Sequence, residues 1–144
     1  MKFFKLWVPV FGWCGFIFYL SGIPQLGTGW GVWDLILRKA AHITEYFILT
    51  VRLYRAFKCS FNLPSFYLSI WTFSLSFLYA VSDEIHQTFV PTRNPSPNDV
   101  LFDTLGIIAF YLFIKYNNKF SKKGVNNVHQ RYRNKNHPGR YYGT

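Results

Sequence analysis

The sequence predicts an all-α integral membrane protein, a four-helix bundle with its N- and C-termini on the cytoplasmic side. Three observations predict it. Half of the 144 residues are apolar and 22% are aromatic, and the apolar ones gather into runs long enough to cross a bilayer core of about 30 Å at 1.5 Å per residue. Between the runs lie short segments rich in Gly, Pro and Asn, as connections require. The bases are unevenly placed, so that with four spans every Lys and Arg except Arg38, Lys39 and Arg93 falls on one side, which the positive-inside rule makes cytoplasmic. The apolar character ends near residue 116, which bounds a membrane domain over 1–116 and a basic tail over 117–144.

The first span is expected over about 5–22, preceded by Lys2 and Lys5, with Pro9 in its opening turns where a missing N–H is best tolerated. No small-x-small pattern follows it, so an uncleaved helix is expected rather than a signal peptide. Residues 21–34, with four glycines, a proline and two tryptophans, read as an interfacial loop, and Asp34 is placed to cap the next helix. The second span, 35–57, is the least apolar. At about 100° per residue its Arg38, His42 and Glu45 fall within an arc of about 60°, one polar face with an apolar back of Ile43, Phe47, Ile48 and Val51. The third, 64–82, is dense in aromatic residues and uncharged until Asp83. Pro91, Pro95 and Pro97 then end that helix, and Ser96 or Asn98 is placed to cap the fourth span, 99–116. Residues 117–144 carry seven bases and no acid, the composition of a disordered tail beside anionic lipid.

The net charge of +10 raises nucleic acid as a partner, but these bases flank spans or sit in the tail rather than interleaving with aromatics on a folded surface, which argues against it. Cys14 and Cys59 imply neither a disulfide framework nor a Cys-x-x-Cys metal site.

The chemistry of the chain is concentrated in one polar island. All six acids lie at or just below the outer face, four of them between Asp83 and Asp103. Asp99 and Asp103 are four residues apart on one helical face and repel unless a positive group intervenes; Arg38, Lys39 and Arg93 are the protein candidates and a divalent cation the alternative. Asp83, His86 and Gln87 share a face of the third helix, with Glu84 about 100° away. Glu84 and His86 are the expected acid and base pair, oriented by Asp83, His42 and Glu45. The same donors also suit a metal, though no zinc signature is present. Ser82, beside Asp83, and Ser96 are candidate nucleophiles, Ser96 being more simply a helix cap. A salt-bridged network that only fixes helix register is the rival for any one of these residues, but so many ionisable groups on one face of a small bundle favour a site.

The runs Arg38-Lys39-Ala40-Ala41-His42-Ile43-Thr44-Glu45-Tyr46 and Tyr79-Ala80-Val81-Ser82-Asp83-Glu84-Ile85-His86-Gln87-Thr88-Phe89-Val90-Pro91-Thr92-Arg93, followed by Ser96 to Asp99, Asp103 and Gly106, resemble the VanZ-like family of bacterial membrane proteins over about residues 3–116. Thr92 stands where that family often has Gly. The resemblance implies a small multi-helix domain in the bacterial inner membrane and a phenotype class, lowered susceptibility to the lipid-tailed glycopeptide teicoplanin, without implying a reaction. The expectation is therefore an outward-facing site that binds or acts on a lipid-linked or cell-wall component. Arg38 and Arg93 hold an anionic headgroup, His42, Glu45, Gln87, Asp99 and Asp103 complete the binding set, and Glu84, His86 and Asp83 carry any chemistry. The alternative is an accessory membrane protein whose polar cluster is structural.

Overall fold

The computed structural model describes residues 2–23, 31–91 and 96–136, with side chains over 3–23, 31–91 and 96–118. Four helices follow one another: α1 (Lys2–Ser21), α2 (Val32–Ser60), α3 (Ser65–Gln87) and α4 (Pro97–Asn136). Among the described residues there is no strand. Two compact units divide the chain, Met1–Phe110 and Tyr111–Thr144. The first holds α1 to α3 and the start of α4; the second holds the remainder of α4.

Three of the helices are long and apolar enough to cross a membrane: α1 over Phe3–Ser21, α3 over Ser65–Gln87 and α4 over Pro97–Asn118. The expected second span, 35–57, is not among them. Its helix has ample length, 29 residues or roughly 43 Å, but Asp34, Arg38, Lys39, Glu45, Arg52 and Arg55 interrupt every apolar window. What α2 lacks in hydropathy it recovers in packing, because it is the helix the others surround. Trp7 of α1 sets its ring edge-on to Phe57, centroids 5.2 Å apart. Ser76 of α3 lies 3.2 Å from the Thr50 hydroxyl, and Phe110 of α4 packs against both Phe47 and Tyr54. Tyr46, Leu49, Thr50 and Ala56 are wholly buried.

Gly106 allows the closest of these approaches. A Cβ there would collide with the carbonyl oxygen of Ile43 and stand 3.1 Å from the amide nitrogen of Phe47, so α4 rests directly on the backbone of α2, as small residues permit between membrane helices. Outside, large apolar side chains such as Phe4, Phe11, Phe66, Leu78, Leu101 and Leu112 are more than half exposed, the surface a lipid solvent covers.

The helix ends differ from expectation in two places. Gly31, at φ +56°, precedes α2, so Asp34 lies in the first turn rather than at the cap, where its charge still favours the positive end of the helix dipole. At the start of α4 the Ser96 hydroxyl accepts from the Asn98 amide at 3.3 Å, and the Asp99 amide donates to the Ser96 carbonyl at 2.7 Å; Ser96 is a cap. Through 117–136, the first part of the basic tail, α4 continues to Asn136. This stretch contains a single Gly and no Pro, and Lys, Arg and Gln are good helix formers, so low hydropathy alone does not break the helix. Residues 137–144 lie outside the described set.

Candidate functional site

The polar residues collect at the end of the bundle where α1 finishes, α2 starts, α3 finishes and α4 starts. They form two linked groups rather than one island.

The first joins α1 to α3. Asp83 is 3% exposed, and a buried carboxylate must have its oxygens satisfied. Ser21 donates to Oδ1 at 2.5 Å and Gln87 Nε2 donates to Oδ2 at 3.0 Å. Gln87 is one turn beyond Asp83, so helical spacing alone aligns the two. The Ser21 hydroxyl is also 3.5 Å from His86 Nδ1, and the His86 ring stacks on Phe18 with centroids 3.9 Å apart. One level deeper, Tyr79 donates to the Cys14 carbonyl at 2.6 Å.

The second joins α2 to α4. His42 Nδ1 and Asp103 Oδ1 are 2.9 Å apart, both side chains buried. Lys39 Nζ lies 3.5 Å from Asp99 Oδ1 and 3.9 Å from the centre of the Phe102 ring. The positive groups that relieve the Asp99 and Asp103 repulsion are thus Lys39 and His42, three residues apart on α2 and facing acids four apart on α4. Arg38, one residue before Lys39, points elsewhere. It lines a cleft of about 220 Å³ together with Leu20, Ser21, Ala41, His42 and Glu45. His42 therefore touches both the cleft and Asp103, and Ser21 touches both the cleft and Asp83.

Glu84 and His86, expected as an acid and base pair, are not brought together. Two residues on a helix are about 200° apart. His86 faces α1, whereas Glu84 faces the start of α4, within electrostatic range of Asp99, Asp103 and His42. Both Glu84 carboxylate oxygens are buried and neither has a hydrogen-bond partner among the described residues; the Ser96 amide is nearby without meeting them at bonding geometry. Arg93, the other expected anion holder, lies outside the described residues, so its place relative to Arg38 is not part of the geometry. Among the described residues no three His, Cys, Asp or Glu side chains are gathered as a metal site.

Two contributors were missed from sequence. Ser21 ends an apolar run and carries no motif, yet it is one of the two donors to Asp83. Tyr46 is 0% exposed with its hydroxyl unpartnered, in electrostatic range of Asp83, Asp103 and Glu45. Its position one turn below His42, at the end of the run Arg38 to Tyr46 that carries the family resemblance, is the signal that could have pointed to it.

None of the curated proteins and none of the solved structures matches the chain. The VanZ/LLP1 family model matches residues 3–118, a stretch that holds α1 to α3, the apolar part of α4 and every polar residue placed above. The chain belongs to the VanZ/LLP1 family.

Proposed function

We propose that the chain sits in the inner membrane of a bacterium with both termini cytoplasmic, and that the cleft at the outer end of α1 and α2 binds or modifies a cell-envelope component. Lowered susceptibility to teicoplanin or another lipoglycopeptide is the consequence. The observation that carries this reading is Arg38. It is half-buried on the cleft wall and has no ion-pair or hydrogen-bond partner among the described residues, while Asp99 and Asp103 are already engaged by Lys39 and His42. A half-buried guanidinium with no carboxylate partner among the described residues is suited to a phosphate or carboxylate on the ligand. Glu84, with neither oxygen hydrogen-bonded among the described residues and the Ser96 amide nearby, is the candidate acid or base for any chemistry, and Asp83, held by Ser21 and Gln87, positions its surroundings.

The second reading, an accessory protein whose polar groups serve as internal glue, is favoured by a specific observation: Asp83 and Asp103 are satisfied inside the protein. Surface binding of a fluorescent teicoplanin separates the two. Cells carrying the wild type, Arg38→Gln, Glu84→Gln or an empty vector are compared at matched membrane levels. A site predicts that the wild type lowers binding and Arg38→Gln does not. Equal lowering by all three proteins would reject the site and leave the accessory role, in which Asp103→Asn reduces abundance and function together.

A further inference from the structure

We propose that the face of α2 lying along α1 is a track for phospholipid headgroups between the two leaflets, so that the protein moves lipid across the bilayer. The track shares the Arg38 cleft with the function proposed above and extends it toward the other membrane face; it does not depend on any effect on glycopeptides.

Arg38, Glu45 and Arg52 are spaced by seven residues. On a straight helix such residues drift only about 20° per step, so they form one stripe, and the fourteen residues from Arg38 to Arg52 rise about 21 Å, most of the thickness of a hydrocarbon core. All three are half-buried. The helix facing them answers with no charge, since α1 has neither acid nor base from Leu6 to Ser21. What it offers is neutral. Trp13 Nε1 donates to the Glu45 carbonyl at 3.0 Å, and the Arg52 guanidinium lies 5.1 Å from the Trp13 ring and donates to the exposed Pro9 carbonyl at 3.5 Å. Arg52 Nε is buried with no partner.

Two cations about 21 Å apart along α2, neither with a carboxylate partner among the described residues, therefore lie on one stripe beside α1. Fastening α1 to α2 requires no charge at either position, and charges inside a membrane are retained for function. The anion each guanidinium fits is the phosphate of a lipid headgroup, whose tails stay in the bilayer while the head follows the stripe. The cleft at Arg38, about 220 Å³ and open on one side, has room for a headgroup.

The test is the full chain in tight vesicles of phosphatidylethanolamine and phosphatidylglycerol containing phosphatidylglycerol with an NBD group on an acyl chain. Dithionite bleaches the outer leaflet at once and the inner leaflet only as lipid crosses. A trapped soluble NBD sugar controls for leakage. Offsetting the cost of carrying one charge through the core predicts crossing about a hundredfold faster than in protein-free vesicles. Arg38→Gln and Arg52→Gln each lose most of this, and Lys58→Gln, an exposed base off the stripe, loses none. Should a glutamine variant fail to fold, Arg52→Lys keeps the charge and retains the rate. A wild type no faster than empty vesicles overturns the proposal and leaves Arg52 as a side chain reaching for its own headgroup layer, as do fast crossing in both glutamine variants or equal losses in Lys58→Gln. If crossing is absent while the Arg38-dependent teicoplanin effect persists, the track fails and the envelope site stands.

Discussion

Gly106→Ala tests the packing on which the site depends. Taken alone, α4 gains from the change, because Ala exceeds Gly by about 1 kcal/mol in a helix interior. Against this, the new methyl would occupy the place of the Ile43 carbonyl oxygen and crowd the Phe47 amide at 3.1 Å. Both obstacles are backbone of α2 and cannot swing aside, so α4 must move away. Overpacking of this kind costs about 1–3 kcal/mol. The shift also reaches one turn along α4 to Asp103, whose 2.9 Å bond to His42 is worth about 1.5–3 kcal/mol if the pair is charged. Losing half of that bond gives a net destabilisation of about 2 kcal/mol, or a fall in midpoint of about 5–10 °C for a chain of this size. Purified wild type and variant in the same detergent, heated and scored by the fraction eluting as intact protein, measure it. A Gly106→Ala protein as stable as the wild type, or more so, would refute the close approach of α2 and α4.

Three further outcomes follow from buried polar groups. His42→Ala leaves Asp103 buried and uncompensated, which costs about 3–5 kcal/mol; adding Asp103→Asn should recover much of the loss, and a double variant as unstable as the single one would deny the pairing. Ser21→Ala removes the donor to Asp83 Oδ1 and should cost about 1–3 kcal/mol in the same thermal assay, a loss that Ser82→Ala, on the exposed side of α3, should not show. Tyr46→Phe deletes a buried hydroxyl that has no partner, so stability should stay level or rise by about 1 kcal/mol. A marked fall would mean that the hydroxyl binds something in the working protein.

The two neighbouring residues Arg38 and Lys39 show how far the sequence reads. Both were identified as cations available to Asp99 and Asp103, because like charges four apart on a helix demand one. Their adjacent positions place them about 100° apart around α2, and which of the two meets α4 depends on where α4 lies. Lys39 takes Asp99 and Arg38 is left to the cleft. Glu84 and His86 repeat the lesson on α3, where closeness in sequence means opposite directions in space. Hydropathy by itself ranks the helices poorly, since α2 is the central helix although it fails as an apolar span, and α4 runs past the point where its apolar residues end.

Composition and period, which are local properties, determined that this chain is helical, that it carries membrane-length apolar helices, and that four of its six acids fall between the end of the third helix and the start of the fourth. They do so because the hydrophobic face of a helix and the length of a span are written in consecutive residues. The partners were decided by the tertiary structure alone. Ser21 meets Asp83 across 62 residues and His42 meets Asp103 across 61, because the neighbours around each helix are set by how four helices pack, and Gly106 is where that packing admits no substitute.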